Sequence, residues 1–414
     1  MNSPRHASDP TIPGEVLRRA GVSLRAFSGA DLDEGLQEWR NIESRIGDVP
    51  LMCSHLWTST WLRIYRDLVP STILIASTDG QAFGAALVTR GVNQKVGPVP
   101  LRTLHIGTAG EPLGQSVCVE YNDVLVDRPH RPAFVELLQD WLRAQTRVDE
   151  IRLDGWSTAN AGEWNDSSLP IERRTRDCAY FDLSQVQGPD VEPLQFLGRS
   201  TRQNLRRLVR KYGRIETTWA ESLEDADDIL TELILLHQAR WNASGEPGAF
   251  ASRRFEEFQR QLLVQGFNDR KVVLFRARHE GETIGCLLLL VDRGRMLDYL
   301  SGFASFDQKP SPGLITHYLC LTEAAHRGYQ AYDFLVGDKR HKDNLSTDVQ
   351  QLTWTTWRRP TLRNKAVDAL KAIKKWRDRK KPVSSCCSPD EASKENESSI
   401  QEAGLLPAEA LSAH

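Results

Sequence analysis

What most constrains this chain is an order of elements that is written twice. Helical spacing over 31–46 and 57–68 precedes strand-like runs over 71–78 and 83–89, joined by a turn at Asp79-Gly80, and a third strand over 101–106. A glycine-rich loop over 107–114 and the segment YNDVLVD over 121–127 lead into a helix over 132–146. Strands over 150–153 and 180–183 follow. The second half gives a helix over 193–212, a strand over 215–219, and helices over 223–243 and 253–266. Strands over 272–278, 284–291 and 296–303 come next, then a helix from Leu314 and strands over 332–336 and 350–357. Residue identities do not repeat, so what repeats is a fold. A strand meander followed by a helical crossover predicts an α/β sheet of mixed direction. The spacing predicts two copies, 21–188 and 189–358, divided near Gly188-Pro189.

At 414 residues the chain has room for two such domains and a tail. Hydrophobic residues at 40% and charged residues at 26% give it the balance of a globular chain with a core. A formal net charge of −2 argues against a dedicated DNA-binding protein. No apolar run reaches the length that spans a bilayer. Residues 1–20 lack a hydrophobic signal core and read as a flexible leader on a cytoplasmic protein. The seven cysteines are scattered without a Cys-x-x-Cys pair, which indicates neither a disulfide framework nor a metal site.

The stretch over 305–342 organises the second copy. Pro310, Pro312 and Gly313 break what precedes them, and Pro312 suits a first helical position. Leu314, Tyr318, Leu321 and Ala325 recur at helical spacing, Gly328 closes the helix, and Tyr332, Phe334 and Val336 alternate as a strand does. A loop feeding a helix N-terminus offers free N–H groups and the positive end of the helix dipole, which suits an anion. An ordinary crossover helix has the same pattern.

The run Ser311-Pro312-Gly313, a helix, Tyr332-Asp333-Phe334-Leu335-Val336-Gly337-Asp338 and then Lys342 resembles the C-terminal signature of the CelD-type (cellulose biosynthesis-associated) acyltransferases. These belong to the GNAT superfamily and are close in architecture to the Fem peptidyltransferases. The resemblance covers most of 193–357, and the first copy more loosely through YNDVLVD and IRLDGWS. It implies two tandem GNAT-like domains with mixed sheets, and acyl-CoA as co-substrate with no metal. It places the thioester in a gap between the strands over 296–303 and 332–335. Lys309, Ser311 and Gly313 would cradle the diphosphate, with less glycine than the family's usual phosphate loop.

By the same resemblance Asp338 is the candidate general base, and Lys342 or a backbone N–H is the donor to the carbonyl oxygen. An Asp338–Lys342 salt bridge is the plain alternative. His341 stands where the family pattern has tyrosine and can carry a proton near neutral pH. Lys339 and Leu345 are further departures. Asp333 is assigned to the acceptor, together with His237 and Trp241, one helical turn apart. Arg206 and Arg207 join them from the basic run 199–211, in which Arg202, Arg206 and Arg210 share a face suited to phosphate or carboxylate. The bland readings are a core histidine and a solvated basic face. His317 and the cluster Tyr121, Asp123 and Asp127 are weaker candidates. The first copy has no comparable loop before its helix at 132, so a second active site is not expected there.

Eleven Lys or Arg over 358–381 face only Asp368 and Asp378, with Val367, Leu370, Ile373 and Trp376 as an apolar stripe. This reads as a basic amphipathic helix for peripheral membrane or synthase-complex contact, followed by a disordered tail over 382–414. Cys386-Cys387 within the tail is a possible acylation site. The functional expectation is transfer of an acyl group, such as acetyl, to an amine or hydroxyl of a small-molecule or polysaccharide-precursor acceptor. No nucleophile motif suggests a covalent intermediate. One rival is a Fem-like transferase using aminoacyl-tRNA, with the 199–211 helix on RNA phosphates. Another is a non-catalytic GNAT-like subunit of an exopolysaccharide or cellulose synthesis complex.

Overall fold

The computed structural model describes residues 14–19, 21–165, 168–186, 188, 191–305, 309–337 and 340–380. Asp338, Cys386-Cys387, the first thirteen residues of the expected leader and the tail over 382–414 lie outside them. The described residues are mixed α/β and form two compact units. One takes 14–113, 119–174 and 353–365; the other takes 114–118, 175–352 and 366–380. The two units meet in the chain at 174/175, within the strand Ile171–Asp182.

In the first unit the strands are β1 (Gly14–Arg19), β2 (Val22–Ser28), β3 (Ser71–Thr78), β4 (Gln81–Arg90), β5 (Thr103–Ile106) and β6 (Glu150–Ser157). They pair in that order, antiparallel until β5, with β5 and β6 parallel. Within the expected flexible leader, Gly14–Arg19 is therefore a strand paired on β2. Helices α1 (Leu32–Ile46) and α2 (His55–Tyr65) precede β3, and α3 (Arg131–Ala144) crosses between β5 and β6. Leu32, Gly35, Trp39 and Ile42 form the buried stripe of α1, and Ser54 caps α2 by accepting from the Trp57 N–H. The core gathers Leu24, Leu74, Phe134 and Trp156. Trp164 meets Trp156 edge-on at 5.5 Å, and Trp357 joins from near the end of the chain.

The second unit repeats this plan. It holds β7 (Ile171–Asp182, from Thr175 onward), α4 (Arg199–Tyr212), β8 (Glu216–Trp219), α5 (Leu223–Ala243), α6 (Arg253–Gly266), β9 (Val272–His279), β10 (Glu282–Asp292) and β11 (Arg295–Phe303). Then come α7 (Pro312–His326), β12 (Ala331–Val336), the short α8 (Arg340–Leu345) and β13 (Asp348–Arg358, as far as Leu352). β8 to β11 form an antiparallel meander, β12 lies parallel to β11, and β7 pairs antiparallel with β12. The helix expected over 193–212 is two pieces, because Leu197 and Gly198 are extended between the short 3-10 turn Pro193–Phe196 and α4. Leu205, Leu208 and Tyr212 bury one face of α4, leaving its arginines on the other. Ser222 and Ser252 cap α5 and α6. A last helix, α9 (Leu362–Lys380), starts at Leu362; the basic run's first residue, Arg358, closes β13.

Candidate active site

Strands β11 and β12 are paired only where they begin. Arg295, Met296 and Leu297 face Ala331, Tyr332 and Asp333. β10 holds the other edge of β11 as far as Phe303, while β12 continues to Val336. Past Leu297 and Asp333 the pairing of the two strands does not continue among the described residues. This is the position the resemblance implies for the gap.

Helix α7 starts beside this parting. Ser311 sits in the left-handed region at φ 49°, and its hydroxyl caps no helix N–H. A Cβ at Gly313 would stand 3.3 Å from the Phe303 ring. The Tyr212 hydroxyl donates to the Pro310 carbonyl at 3.0 Å, which ties the last turn of α4, carrying Arg210 and Lys211, to the approach to α7. Burial pushes that hydroxyl up to about 12, so it stays protonated and donates. Lys309 Nζ lies 3.4 Å from His279 Nδ1 and 3.9 Å from the Glu282 carboxylate, and His279 Nε2 lies 2.8 Å from the Tyr212 carbonyl oxygen. Lys309 therefore sits a few residues before the positive end of the α7 dipole.

Asp298 is the first residue of β11 past the parting, and its side chain is 9% exposed. Oδ2 lies 3.6 Å from His317 Nε2, and the buried Oδ1 has no hydrogen-bond partner among the described residues. His317 Nδ1 lies 3.0 Å from the Tyr332 hydroxyl. Burial pushes Tyr332 and Cys320, hydrogen-bonded to one another, well above their ordinary ranges, so both are neutral at physiological pH. The His317 ring also meets Phe303 and Phe334 at 5.4 and 5.9 Å between centroids.

On α5, His237 is 8% exposed and its Nδ1 lies 3.1 Å from the Ser301 carbonyl oxygen of β11. Trp241 and Phe250 pack on its ring at 6.0 and 5.2 Å. Gly302 permits this contact, because a Cβ there would stand 2.5 Å from the Leu233 carbonyl oxygen. Asp333 is wholly buried. It accepts from Arg295 Nε at 2.6 Å, the Leu335 N–H at 2.8 Å and the Cys178 thiol at 3.1 Å, and Arg295 lies over the Tyr180 ring at 4.2 Å. Its oxygens hold β12 in shape and are not presented to an acceptor.

Lys342 is also buried. Nζ donates to the Leu335 and Val336 carbonyls at 3.0 and 2.9 Å, and so closes the end of β12 where Leu335 turns left-handed at φ 58°. Gly337 admits the ammonium, since a Cβ there would lie 2.8 Å from Nζ. His341 is carried on α8 in the loop that Lys342 anchors; its side chain is not described. Arg206 and Arg207 are exposed on α4, with Arg207 donating to Asn204 at 2.9 Å. The structure thus brings Lys309, Ser311 and Gly313 together beside the gap and puts His237 and Trp241 behind β11. Sequence reasoning missed Asp298, Arg295 and Tyr212; a lone carboxylate inside the apolar strand MLDYL was the available signal for Asp298.

Residues 199–343 match the Acetyltransferase (GNAT) domain family. FemX shares the fold at 13% identity, with 81% of this chain and 98% of that one covered and a TM-score of 0.52. The C-terminal domain of a putative lysylphosphatidylglycerol synthetase from Agrobacterium fabrum does so at 13% identity, covering 83% and 96%, with a TM-score of 0.50. Comparison of the sequence with curated proteins gives no match. The second unit is therefore similar over 199–343 to the GNAT acetyltransferase domain, and about four fifths of the chain shares its fold with these two structures.

Proposed function

We propose that the second unit transfers an acyl group from acyl-CoA to an amine or hydroxyl of a small acceptor, with a polysaccharide precursor as the class that the CelD-type resemblance favours. The parting of β11 from β12 beside the uncapped start of α7 is the observation that carries this reading. The diphosphate sits against the first N–H groups of α7, near Lys309 and the last turn of α4. The thioester lies in the gap, and an N–H of β11 past Leu297 donates to the developing oxyanion. Lys342 is the poorer donor, because its ammonium already serves two carbonyls.

In this reading the acceptor nitrogen or oxygen attacks the thioester carbon directly. Asp338 or His341 takes the proton, and the CoA thiolate leaves. His237 and Trp241 shape the acceptor side from behind β11. Calorimetry with CoA and acetyl-CoA tests donor binding, and mass spectrometry of mixed acyl-CoAs with acceptor pools tests transfer. Asp338→Asn is expected to abolish turnover with donor binding kept; full activity would remove Asp338 from the mechanism.

A second reading draws on the exposed row of Arg206, Arg207 and Arg210, which suits nucleic-acid phosphates, and on the fold shared with FemX. Here the donor is an aminoacyl-tRNA. Tight, steeply salt-dependent binding of charged tRNA with no binding of any acyl-CoA would select it.

A further inference from the structure

Helix α9 carries two apolar faces; among the described residues one is buried and the other is exposed. Val367 and Asn364 are buried, and Asn364 Nδ2 donates to the Asp149 and Arg359 carbonyls at 2.9 Å, so the first turns are anchored. Leu362, Ala366, Ala369, Ile373 and Trp376 are spaced alternately by four and three residues, which places them on one other face, and all five are exposed. Leu362, Ile373 and Trp376 are 83%, 54% and 57% exposed. This exposed stripe differs from the one the sequence suggests, because Val367 points inward. The helix as a whole is strongly basic. Eight Lys or Arg face two Asp within Leu362–Lys380, in a chain whose formal net charge is −2.

We propose that this face of α9 is a docking surface for an anionic lipid bilayer. An interfacial helix is recognised by an apolar stripe ending in tryptophan and bordered by lysine and arginine; the ring and the isoleucine enter the headgroup boundary while the cations meet lipid phosphates. Charge decides against a second copy as the occupant, since two such helices would bring strongly positive faces together. The stripe spans only about two heptads with alanine at two of its five positions, too short and too small for a stable coiled coil.

The test is co-sedimentation of the full chain with phosphatidylcholine vesicles and with vesicles half phosphatidylglycerol, at low and high salt. Binding to the anionic vesicles only, weakened by salt, is expected. The pair Lys374→Glu and Lys375→Glu should weaken it at least about tenfold, and Trp376→Ser should weaken it with the salt dependence retained. Acetyl-CoA binding should be unchanged in both variants, which reports that they fold and keeps this result separate from the fate of the acyltransferase reading. Binding to neither vesicle, equal binding to both, or insensitivity to these variants overturns the proposal. So does a concentration-dependent dimer mass, or tRNA retention, that the same substitutions abolish in place of vesicle binding.

Discussion

The two parallel strand pairs share one topology and end differently. In the first unit β5 and β6 pair from Thr103↔Glu150 to Ile106↔Leu153, and Asn122 then takes the next place, bridging Trp156. Its Nδ2 donates to the Ile106 carbonyl at 2.8 Å, and a Cβ at the left-handed Gly107 would stand 2.4 Å from that same nitrogen. The crossover helix α3 likewise has its own anion, for Asp127 Oδ1 accepts the His130 N–H at 3.0 Å. Arg131, its first residue, is engaged by Asp123 and Glu163. In the second unit the pairing of β11 with β12 ends at Leu297↔Asp333 among the described residues, and α7 begins with an uncapped Ser311. A fold written twice need not give a site twice: what a parallel pair can bind depends on whether the chain's own side chains have already filled the parting.

The largest effect should come from what holds the open pair in shape. Lys342→Ala leaves two buried carbonyls without their donor and should cost about 2–3 kcal/mol in denaturant unfolding, with acyl transfer lost as β12 frays. Unchanged stability would mean that the end of β12 needs no anchor. Next comes the exchange of anions. Ser311→Asp gives α7 the carboxylate that α3 already has, and should weaken acetyl-CoA binding about tenfold, or ~1.4 kcal/mol, by calorimetry. Asp127→Ala in the first unit should leave that binding alone and cost about 1 kcal/mol of stability. If both variants weakened binding equally, the two units would not differ as described.

The smallest effect is confined to acid. Burial pushes Asp149 up, but the forked Arg102 guanidinium and backbone N–H pull it further down, to about 2 from its ordinary 3.8. Its folded value is depressed, so its contribution is fully present above the ordinary value and is lost as pH falls from about 4 towards 2. Asp149→Asn should flatten that limb of the thermal stability profile and leave acetyl-CoA binding at pH 7 unchanged.

Much of the architecture was readable in the residues because it rests on local periodicity. The meanders at 71–89 and 272–303, α5, α6 and the Pro312 start of α7 follow from alternation, serine caps and proline, which act within a few residues. β1 was not, since GEVLRR alternates weakly and becomes a strand only by pairing with β2. At the candidate site the resemblance named Lys309, Ser311, Gly313, Asp333 and Lys342, but it did not foretell the hydrogen bonds that Asp333 and Lys342 make. Both keep their place in the motif, yet Arg295 and the Leu335 and Val336 carbonyls claim them. Motif spacing does not say which way a buried charge is satisfied.

By itself the sequence determined two copies of a mixed α/β fold and a proline-marked helix start after the third meander strand, because hydrophobic period and backbone restriction are short-range properties. Only the tertiary structure decided that one parallel pair is continued by Asn122 while the other ends at Leu297↔Asp333, and that Asp298 lies at that end with His317 beside it. Those outcomes depend on contacts between residues far apart in the chain, where desolvation and hydrogen-bond satisfaction, not local preference, select the arrangement.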